Sequence, residues 1–203
     1  MNENSTISLG AFFICYKERN AIEHSVASFF EHYPEAPMYL SSDGGFDYAY
    51  LTEKFVNLRT SLDDEQTVGL MVDVSKHTRL HPLFMASFEF LNRVRLAIEF
   101  TKTSHLLLME PDVLVRGKLT IPDAELVGPL PCENEMPEVI QLLIGDWGGK
   151  NCRYWGAAAG LMQTRAFIKI YEDLRQQPWI LLEALEYDRR IAGALSSSQR
   201  FLT

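Results

Sequence analysis

The sequence has few cysteines, no long apolar run and no excess of basic residues, and each shortage excludes a class of protein. Its three cysteines, Cys15, Cys132 and Cys152, are an odd number without metal-ligand spacing. We interpret them as free thiols in a reducing compartment rather than as a disulfide framework. The apolar run Leu9–Tyr16 is far shorter than the ~20 residues of a membrane helix. We therefore expect a cytoplasmic protein without a signal peptide or membrane segment.

The excess of acidic over basic residues argues against a nucleic-acid partner. The formal net charge is −8 at pH 7, whereas binding to nucleic-acid phosphates requires a basic surface. A small anionic ligand remains compatible with this charge if a local basic pocket or a carboxylate-bound cation receives it. With 203 residues, of which 47% are apolar and 23% charged, the composition is that of one ordinary globular domain spanning residues 1–203.

The order of apolar segments predicts an α/β sandwich. The run Leu9–Tyr16 has the pattern of a strand buried on both faces of a largely parallel sheet. Apolar residues at helical spacing from Ile22 to Phe30 predict a helix after it. The later predicted strands are Met38–Ser41, Phe55–Arg59 and His105–Met109, the last with a continuation at Val113–Val115. Helices are predicted at Phe84–Thr103, from Thr164 and from Trp179, and a long loop at Leu62–His81. In such a fold the ligand lies outside the carboxyl ends of the parallel strands.

Acidic residues follow two of the predicted strands. Asp43 stands in the turn Ser42-Asp43-Gly44-Gly45, and Glu110 and Asp112 flank a proline directly after the strand His105–Met109. Mg²⁺ and Mn²⁺ prefer oxygen ligands and are usually held by one or two carboxylates together with substrate phosphates. The spacing of Glu110 and Asp112, together with their place directly after an apolar strand, therefore predicts a site for Mn²⁺ or Mg²⁺, which would stabilise the charge on a departing diphosphate. A plain solvated turn is the alternative.

These segments, in this order, resemble the GT-A fold glycosyltransferases. FFICYKERN is similar to the nucleotide-binding opening of that family, YLSSDGG to its aspartate-glycine turn, and LLLMEPDV to its metal motif, with Glu110 in place of the usual first aspartate. The resemblance implies a GT-A fold with a central, mostly parallel mixed sheet flanked by helices. It also implies a transferase that uses a nucleoside-diphosphate sugar.

The resemblance assigns roles to residues near the nucleotide. Tyr16 would stack on the base, Asp43 would contact the base or ribose, and one of Arg93 and Arg95 would face the nucleotide or diphosphate. Lys17 is a further nucleotide-binding candidate. Simple packing of Tyr16, a turn-forming role for Asp43 and a solvated helix face for the arginines stay open as alternatives.

The carboxyl-terminal third contains the candidates for sugar binding and catalysis. The segment GDWGGKNCRYWGAAAG resembles the stretch of the family that lies under the donor sugar, and its candidates are Trp147, Gly148, Trp155 and Gly156. Glycine permits close approach and tryptophan offers a flat apolar face for sugar rings. An inverting mechanism needs a general base, for which Asp188 and Glu186 are the candidates. Buried tryptophans and a charged helix face are the alternatives.

The opening and the motif order also resemble large chlorella-virus glycosyltransferases that act on capsid glycans. This implies a UDP-hexose or UDP-deoxyhexose donor, a glycan or glycoprotein acceptor, action in the host cytoplasm and an excised amino-terminal domain. A nicotinamide-dependent dehydrogenase is disfavoured, because no glycine-rich turn follows the first strand. A sugar-phosphate nucleotidyltransferase and a catalytically silent nucleotide-sugar-binding module stay open.

Overall fold

The structure is a computed structural model that describes residues 7–63, 80–111, 113–121, 126–127 and 160–181. In chain order its elements are β1 (Leu9–Cys15), α1 (Arg19–His32), β2 (Met38–Asp43), a 3₁₀ helix (Ala49–Glu53), β3 (Leu58–Asp63), α2 (Leu80–Thr101), β4 (His105–Met109), β5 (Leu126–Val127), β6 (Leu161–Gln163) and α3 (Thr164–Gln176). The predicted alternation of strand, helix, two strands, helix and strand is confirmed up to β4.

The strands form one six-stranded sheet in the order β3-β2-β1-β4-β6-β5. The first four strands are parallel to one another, and β6 is antiparallel to both β4 and β5. The strand order reverses between β1 and β4, because the chain first extends the sheet through β2 and β3 and then returns to the other side of β1. The predicted α/β class with a mostly parallel mixed sheet is confirmed.

The apolar side chains of β1 pack into the hydrophobic cores on both faces of the sheet. Ala11 and Phe13 point into a cluster that contains the buried face of α1, whereas Phe12 points into a second cluster with α2 and β6. Because side chains alternate along a strand, a continuous apolar run serves two cores at once. The helices α1 and α2 therefore cover opposite faces of the sheet and leave its carboxyl edge to the loops.

Several element boundaries differ from the sequence-based expectation. β3 begins three residues later than expected, because it pairs with β2 in a register that joins Met38 to Leu58. Phe55 instead stacks on Phe30 of α1, with ring centroids 4.8 Å apart. The segment expected to continue as a strand after the acidic motif has no strand pairing, and the backbone N–H of Val115 donates to a serine hydroxyl of α1.

α2 also begins earlier than expected, at Leu80, so its first two residues occupy the end of the expected long loop. None of the helices in the described ranges is long and apolar enough to span a membrane.

Candidate functional site

The carboxyl ends of three adjacent strands bring the candidate residues to one edge of the sheet. β1 pairs with β2 up to Cys15 and Ser42, so Tyr16 and Asp43 each follow by one residue. On the other side, β1 pairs with β4 up to Phe13 and Met109, and Glu110 comes next. Because the strand order reverses between β1 and β4, this edge is where an open α/β sheet binds its ligand.

Asp43 forms a buried ion pair with Arg93. Nη1 of Arg93 lies 3.1 Å from Oδ1 of Asp43, and the two residues are only 2% and 3% exposed. The guanidinium also donates to Ser41 Oγ at 3.4 Å and to Glu89 Oε1 at 3.1 Å. The Asp43 carboxylate is therefore buried and paired rather than solvated. Burial of its carboxylate is compensated by a cation that α2 supplies from fifty positions further along the chain.

The second candidate arginine, Arg95, has different neighbours. Its Nε donates to Asn92 at 3.3 Å, its Nη1 pairs with Glu99, and its guanidinium lies 5.9 Å from the ring centroid of Tyr171 on α3. Residues two positions apart on a helix face different directions, so the separation of Arg93 and Arg95 follows from the geometry of α2. Of the two, the structure brings Arg93 to Asp43.

Tyr16 lies beside the glycine turn that follows β2. Its side chain is partly exposed, at 38%, and its ring edge abuts the backbone of Gly44. A Cβ added at Gly44 would lie 2.2 Å from Tyr16 Cε2, and Gly44 has a φ of +110°, a conformation that L side chains rarely adopt. The turn therefore needs glycine for two independent reasons. Packing against Gly44 fixes one edge of the ring, while part of the residue stays accessible. A packing role for Tyr16 and a stacking role are therefore compatible.

The chain after this turn is attached to α1 by a surface network. Glu23 accepts hydrogen bonds from the Tyr50 hydroxyl at 2.7 Å and from Arg19 Nε at 3.3 Å, and it lies 3.7 Å from Lys54 Nζ. The bond from Tyr50 is the main cause that lowers the pKa of the Glu23 carboxyl. Arg19 also lies over the Tyr50 ring, 4.6 Å from its centroid. These contacts hold the 3₁₀ helix beside α1, and no sequence motif indicated them.

The acidic turn after β4 is held by α1. Val113 N–H donates to Glu110 O at 3.1 Å, which closes a turn with Pro111 inside it. The Ser25 hydroxyl donates to Pro111 O at 2.7 Å. Ser25 is buried on the same face of α1 as Ile22. Ser25 is a polar residue on the apolar face of a helix, and this pattern in the sequence could have identified its role in holding the turn.

A second serine extends the attachment. The Ser28 hydroxyl accepts a hydrogen bond from Val115 N–H at 3.0 Å and donates to Ser25 O at 2.7 Å. Two serines one helical turn apart therefore satisfy two backbone groups of the segment that follows β4. These two hydrogen bonds take the place of the strand pairing that the sequence predicted for residues 113–115.

We expect Ser25→Ala to lower the free energy of unfolding by about 1–3 kcal/mol, because it removes the hydroxyl that satisfies the Pro111 carbonyl. Urea denaturation measures the change. Thr52→Ala is the matched control, since the Thr52 hydroxyl donates to Ala49 O at a similar 2.7 Å but in a hydrogen bond that is exposed to solvent. Equal losses in the two variants would contradict a special role for Ser25.

Cys15 lies under this edge, at the end of β1. Its thiol is buried and donates to Ser41 O at 3.6 Å. Burial raises the pKa of the thiol to about 12, with the neighbouring Tyr48 hydroxyl opposing that shift and the Asp43 charge adding to it. The thiol is therefore neutral near pH 7, and the interpretation of Cys15 as a free cysteine is confirmed. Cys132 and Cys152 lie outside the described residues.

The remaining candidates fall outside the part of the chain that the structure describes. They are Asp112, Trp147, Gly148, Trp155, Gly156, Glu186 and Asp188. Within the described ranges there is no group of three or more histidines, cysteines or acidic residues that could hold a metal ion. Glu110 is the described carboxylate of the expected metal motif, and it lies where β4 meets the point at which the strand order reverses.

The architecture is that of the GT-A glycosyltransferase fold. The galactosyltransferase LgtC, solved in complex with donor and acceptor sugar analogues, is similar over 81% of this chain and 65% of its own, with a TM-score of 0.50 and 15% identity. The bifunctional glycosyltransferase WbbM matches 83% of this chain and 34% of its own, with a TM-score of 0.47 and 13% identity. TarS of S. aureus matches 52% and 17%, with a TM-score of 0.36 and 14% identity.

The similarity is one of fold rather than of sequence. No protein-family model matches the sequence, and a search of curated proteins finds no significant match. The chain spans between 17% and 65% of the length of these three solved structures. The fold class is therefore established by the likeness to LgtC, while the reaction must be argued from the residues of this chain.

Proposed function

We propose that this domain is a metal-dependent glycosyltransferase that takes a hexose or deoxyhexose from a UDP-sugar and transfers it to a glycan or glycoprotein acceptor. The proposal rests mainly on one observation. Tyr16, the buried Asp43–Arg93 pair and Glu110 all lie at the carboxyl ends of neighbouring strands, where the strand order of the GT-A sheet reverses. LgtC, a solved structure of comparable fold, is a galactosyltransferase.

The nucleotide would lie across the carboxyl ends of β1 and β2. Tyr16 offers a partly exposed ring for stacking, and stacking on an aromatic side chain is worth about 1–3 kcal/mol per base. Asp43 would accept a hydrogen bond from the base or ribose, with Arg93 holding its carboxylate in one orientation. An aspartate can accept from the imide N–H of uracil, which cytosine lacks. This chemistry favours a uridine nucleotide.

A divalent ion would lie between the acidic turn and the diphosphate. Mg²⁺ and Mn²⁺ need only one or two carboxylates together with phosphate oxygens, so the donor set of Glu110 and Asp112 suits them. The ion would stabilise the negative charge that develops on the departing diphosphate. The hydrogen bond from Ser25 to Pro111 O holds the backbone between the two acids.

The donor sugar and the acceptor would contact the carboxyl-terminal third. Trp147, Gly148, Trp155 and Gly156 remain the proposed sugar-binding residues. If the reaction inverts the anomeric centre, Asp188 or Glu186 would remove the proton of the acceptor hydroxyl. A cytoplasmic location and a viral origin remain predictions from the sequence.

Calorimetric titration of the wild-type protein tests the proposal. UDP, CDP, GDP and UDP-sugars are titrated with Mn²⁺ and again with a chelator, and release of UDP from the sugars is followed. We expect Mn²⁺-dependent binding of UDP, weaker binding of CDP and GDP, and slow release of UDP. Tyr16→Ala should weaken UDP binding about 10- to 100-fold through loss of stacking. Ile170→Ala, an exposed apolar residue on α3, should leave the affinity unchanged.

The same assays, with pyrophosphate added in one arm, distinguish the proposed transferase from the two alternative functions. A UDP-sugar that binds but never releases UDP would indicate a silent binding module. Formation of a sugar 1-phosphate and UTP from a UDP-sugar and pyrophosphate would indicate a nucleotidyltransferase. Binding of none of the nucleotides by the wild-type protein would contradict the proposal altogether.

A further inference from the structure

Lys17 has a backbone conformation that lysine seldom adopts. Two non-glycine residues in the described ranges have positive φ, Lys17 at 54° and Lys102 at 52°. Lys102 directly follows α2 and its N–H donates to Ile98 O, the usual place for a left-handed residue that ends a helix. Lys17 ends no helix; it lies between β1 and α1. Its strained conformation therefore calls for another explanation, and such strain is often found at ligand-binding sites.

The conformation of Lys17 places its side chain on Tyr16. The ammonium lies over the Tyr16 ring, 4.8 Å from the ring centroid, which is a cation–π distance. The backbone of Gly44 abuts the edge of the same ring. The ring is thus fixed at its edge by Gly44, while an exposed and flexible cation covers it. A planar base that stacks on the covered face must first displace Lys17.

Two other described cations at this end of the sheet already face carboxylates. Arg93 is buried against Asp43, and Arg19 is paired with Glu23. Lys17, by contrast, forms no ion pair with any other residue that the structure describes. In a chain with a formal net charge of −8, a diphosphate is repelled by the average field of the protein and needs a local cation.

We propose that Lys17 exchanges partners: it covers the Tyr16 ring in the free protein, is displaced by the base, and then turns to the diphosphate. This inference rests on the proposed function, because it presupposes a nucleotide that stacks on Tyr16. It makes Lys17 the residue that discriminates a nucleoside diphosphate from an uncharged nucleoside. Both ligands bear the cost of displacing the ammonium, but only the diphosphate recovers it through a new ionic contact.

The exchange predicts that one substitution at Lys17 changes the affinities for uridine and for UDP in opposite directions. In Lys17→Asn the cation is removed, while asparagine tolerates the left-handed backbone. Uridine should bind about two- to fivefold more tightly than to the wild type, since no cation–π contact is lost on stacking. UDP should bind about tenfold more weakly, since the charged hydrogen bond to the diphosphate is lost. Calorimetry in the presence of a chelator measures both, so that no divalent ion shields the diphosphate.

Lys17→Arg is the matched control, because it keeps the charge, and both affinities should remain within about twofold of the wild-type values. A second readout is the proton chemical shift of the Lys17 ε-methylene group. Ring currents of Tyr16 should shift it upfield in the free protein, and addition of UDP should return it toward the value of an exposed lysine. Tyr16→Leu should abolish the shift in the free protein.

The outcomes distinguish the exchange from the proposed function. If the wild type binds UDP but Lys17→Asn changes both ligands in the same direction, or neither, the exchange is wrong and the nucleotide site stands. The absence of an upfield shift in the free protein would also overturn the exchange. If the wild type binds no nucleoside diphosphate, the proposed function fails and the exchange fails with it.

Discussion

Replacing Arg93 with methionine is expected to lower the free energy of unfolding by about 3–5 kcal/mol. The guanidinium is the buried partner of Asp43 at 3.1 Å and also contacts Glu89 at 3.1 Å. Methionine fills a similar volume but leaves two carboxylates near each other without their shared cation. The cost arises mainly from the loss of the ion pair between Arg93 and the buried Asp43 carboxylate rather than from lost packing. Chemical denaturation followed by circular dichroism measures this loss.

Arg95→Met provides the matched control on the same helix. Arg95 pairs with Glu99 at the surface, where ion pairs contribute about 0–1 kcal/mol, so the expected loss is within that range. In the double variant Arg93→Met, Asp43→Asn, much of the stability should return because the buried charge is removed together with its partner. Equal losses for Arg93→Met and Arg95→Met, or no recovery in the double variant, would contradict the assignment of a buried ion pair.

Asp112→Asn is expected to abolish the Mn²⁺-dependent part of UDP binding while leaving the fold intact. Asparagine has nearly the shape of aspartate but no charge, and a site built from two carboxylates loses one of its two anionic ligands. The UDP affinity of the variant should therefore be the same with Mn²⁺ as with a chelator. Calorimetric titration under the two conditions measures the difference, and the thermal unfolding midpoint checks the fold.

Two further variants test the second carboxylate of the motif and control for the loss of a carboxylate elsewhere. Glu110→Gln tests whether the glutamate that replaces the usual aspartate also holds the metal, and a partial loss of the Mn²⁺-dependent increment is expected. Glu31→Gln removes an exposed carboxylate from α1 and should leave the increment unchanged. A full Mn²⁺ effect in Asp112→Asn would remove Asp112 from the metal shell and leave the proposed ion without its main ligand.

The elements that the sequence predicted well are those whose signal is local. β1 and β4 are continuous apolar runs bounded by polar residues, and α1 has apolar residues at helical spacing before two prolines. Burial on both faces of a parallel sheet requires such runs, so their type and approximate bounds can be read without knowing their partners. The position of Asp43 and Glu110 at the carboxyl edge follows from the same reading.

The elements that the sequence predicted poorly depend on a partner. β3 occupies Leu58–Asp63 because its register with β2 provides six residue pairs, whereas Phe55 before it packs on α1. β6 is only three residues long and antiparallel to β4, which no local pattern indicates. In each case the stabilising contact lies far away in the sequence, and propensity is overridden by pairing.

The sequence by itself determined the class of fold, the edge at which a ligand would lie and the residue types available there, because periodicity and strand ends are local properties. Only the tertiary structure decided which of these residues act together. It showed that Arg93 rather than Arg95 reaches Asp43, that Ser25 holds the Pro111 carbonyl, and that Lys17 covers Tyr16. The first two pairs depend on the packing of α2 and α1 against the sheet, whereas the third depends on the left-handed backbone at Lys17. Packing joins residues 50 and 86 positions apart, which no local pattern in the chain encodes.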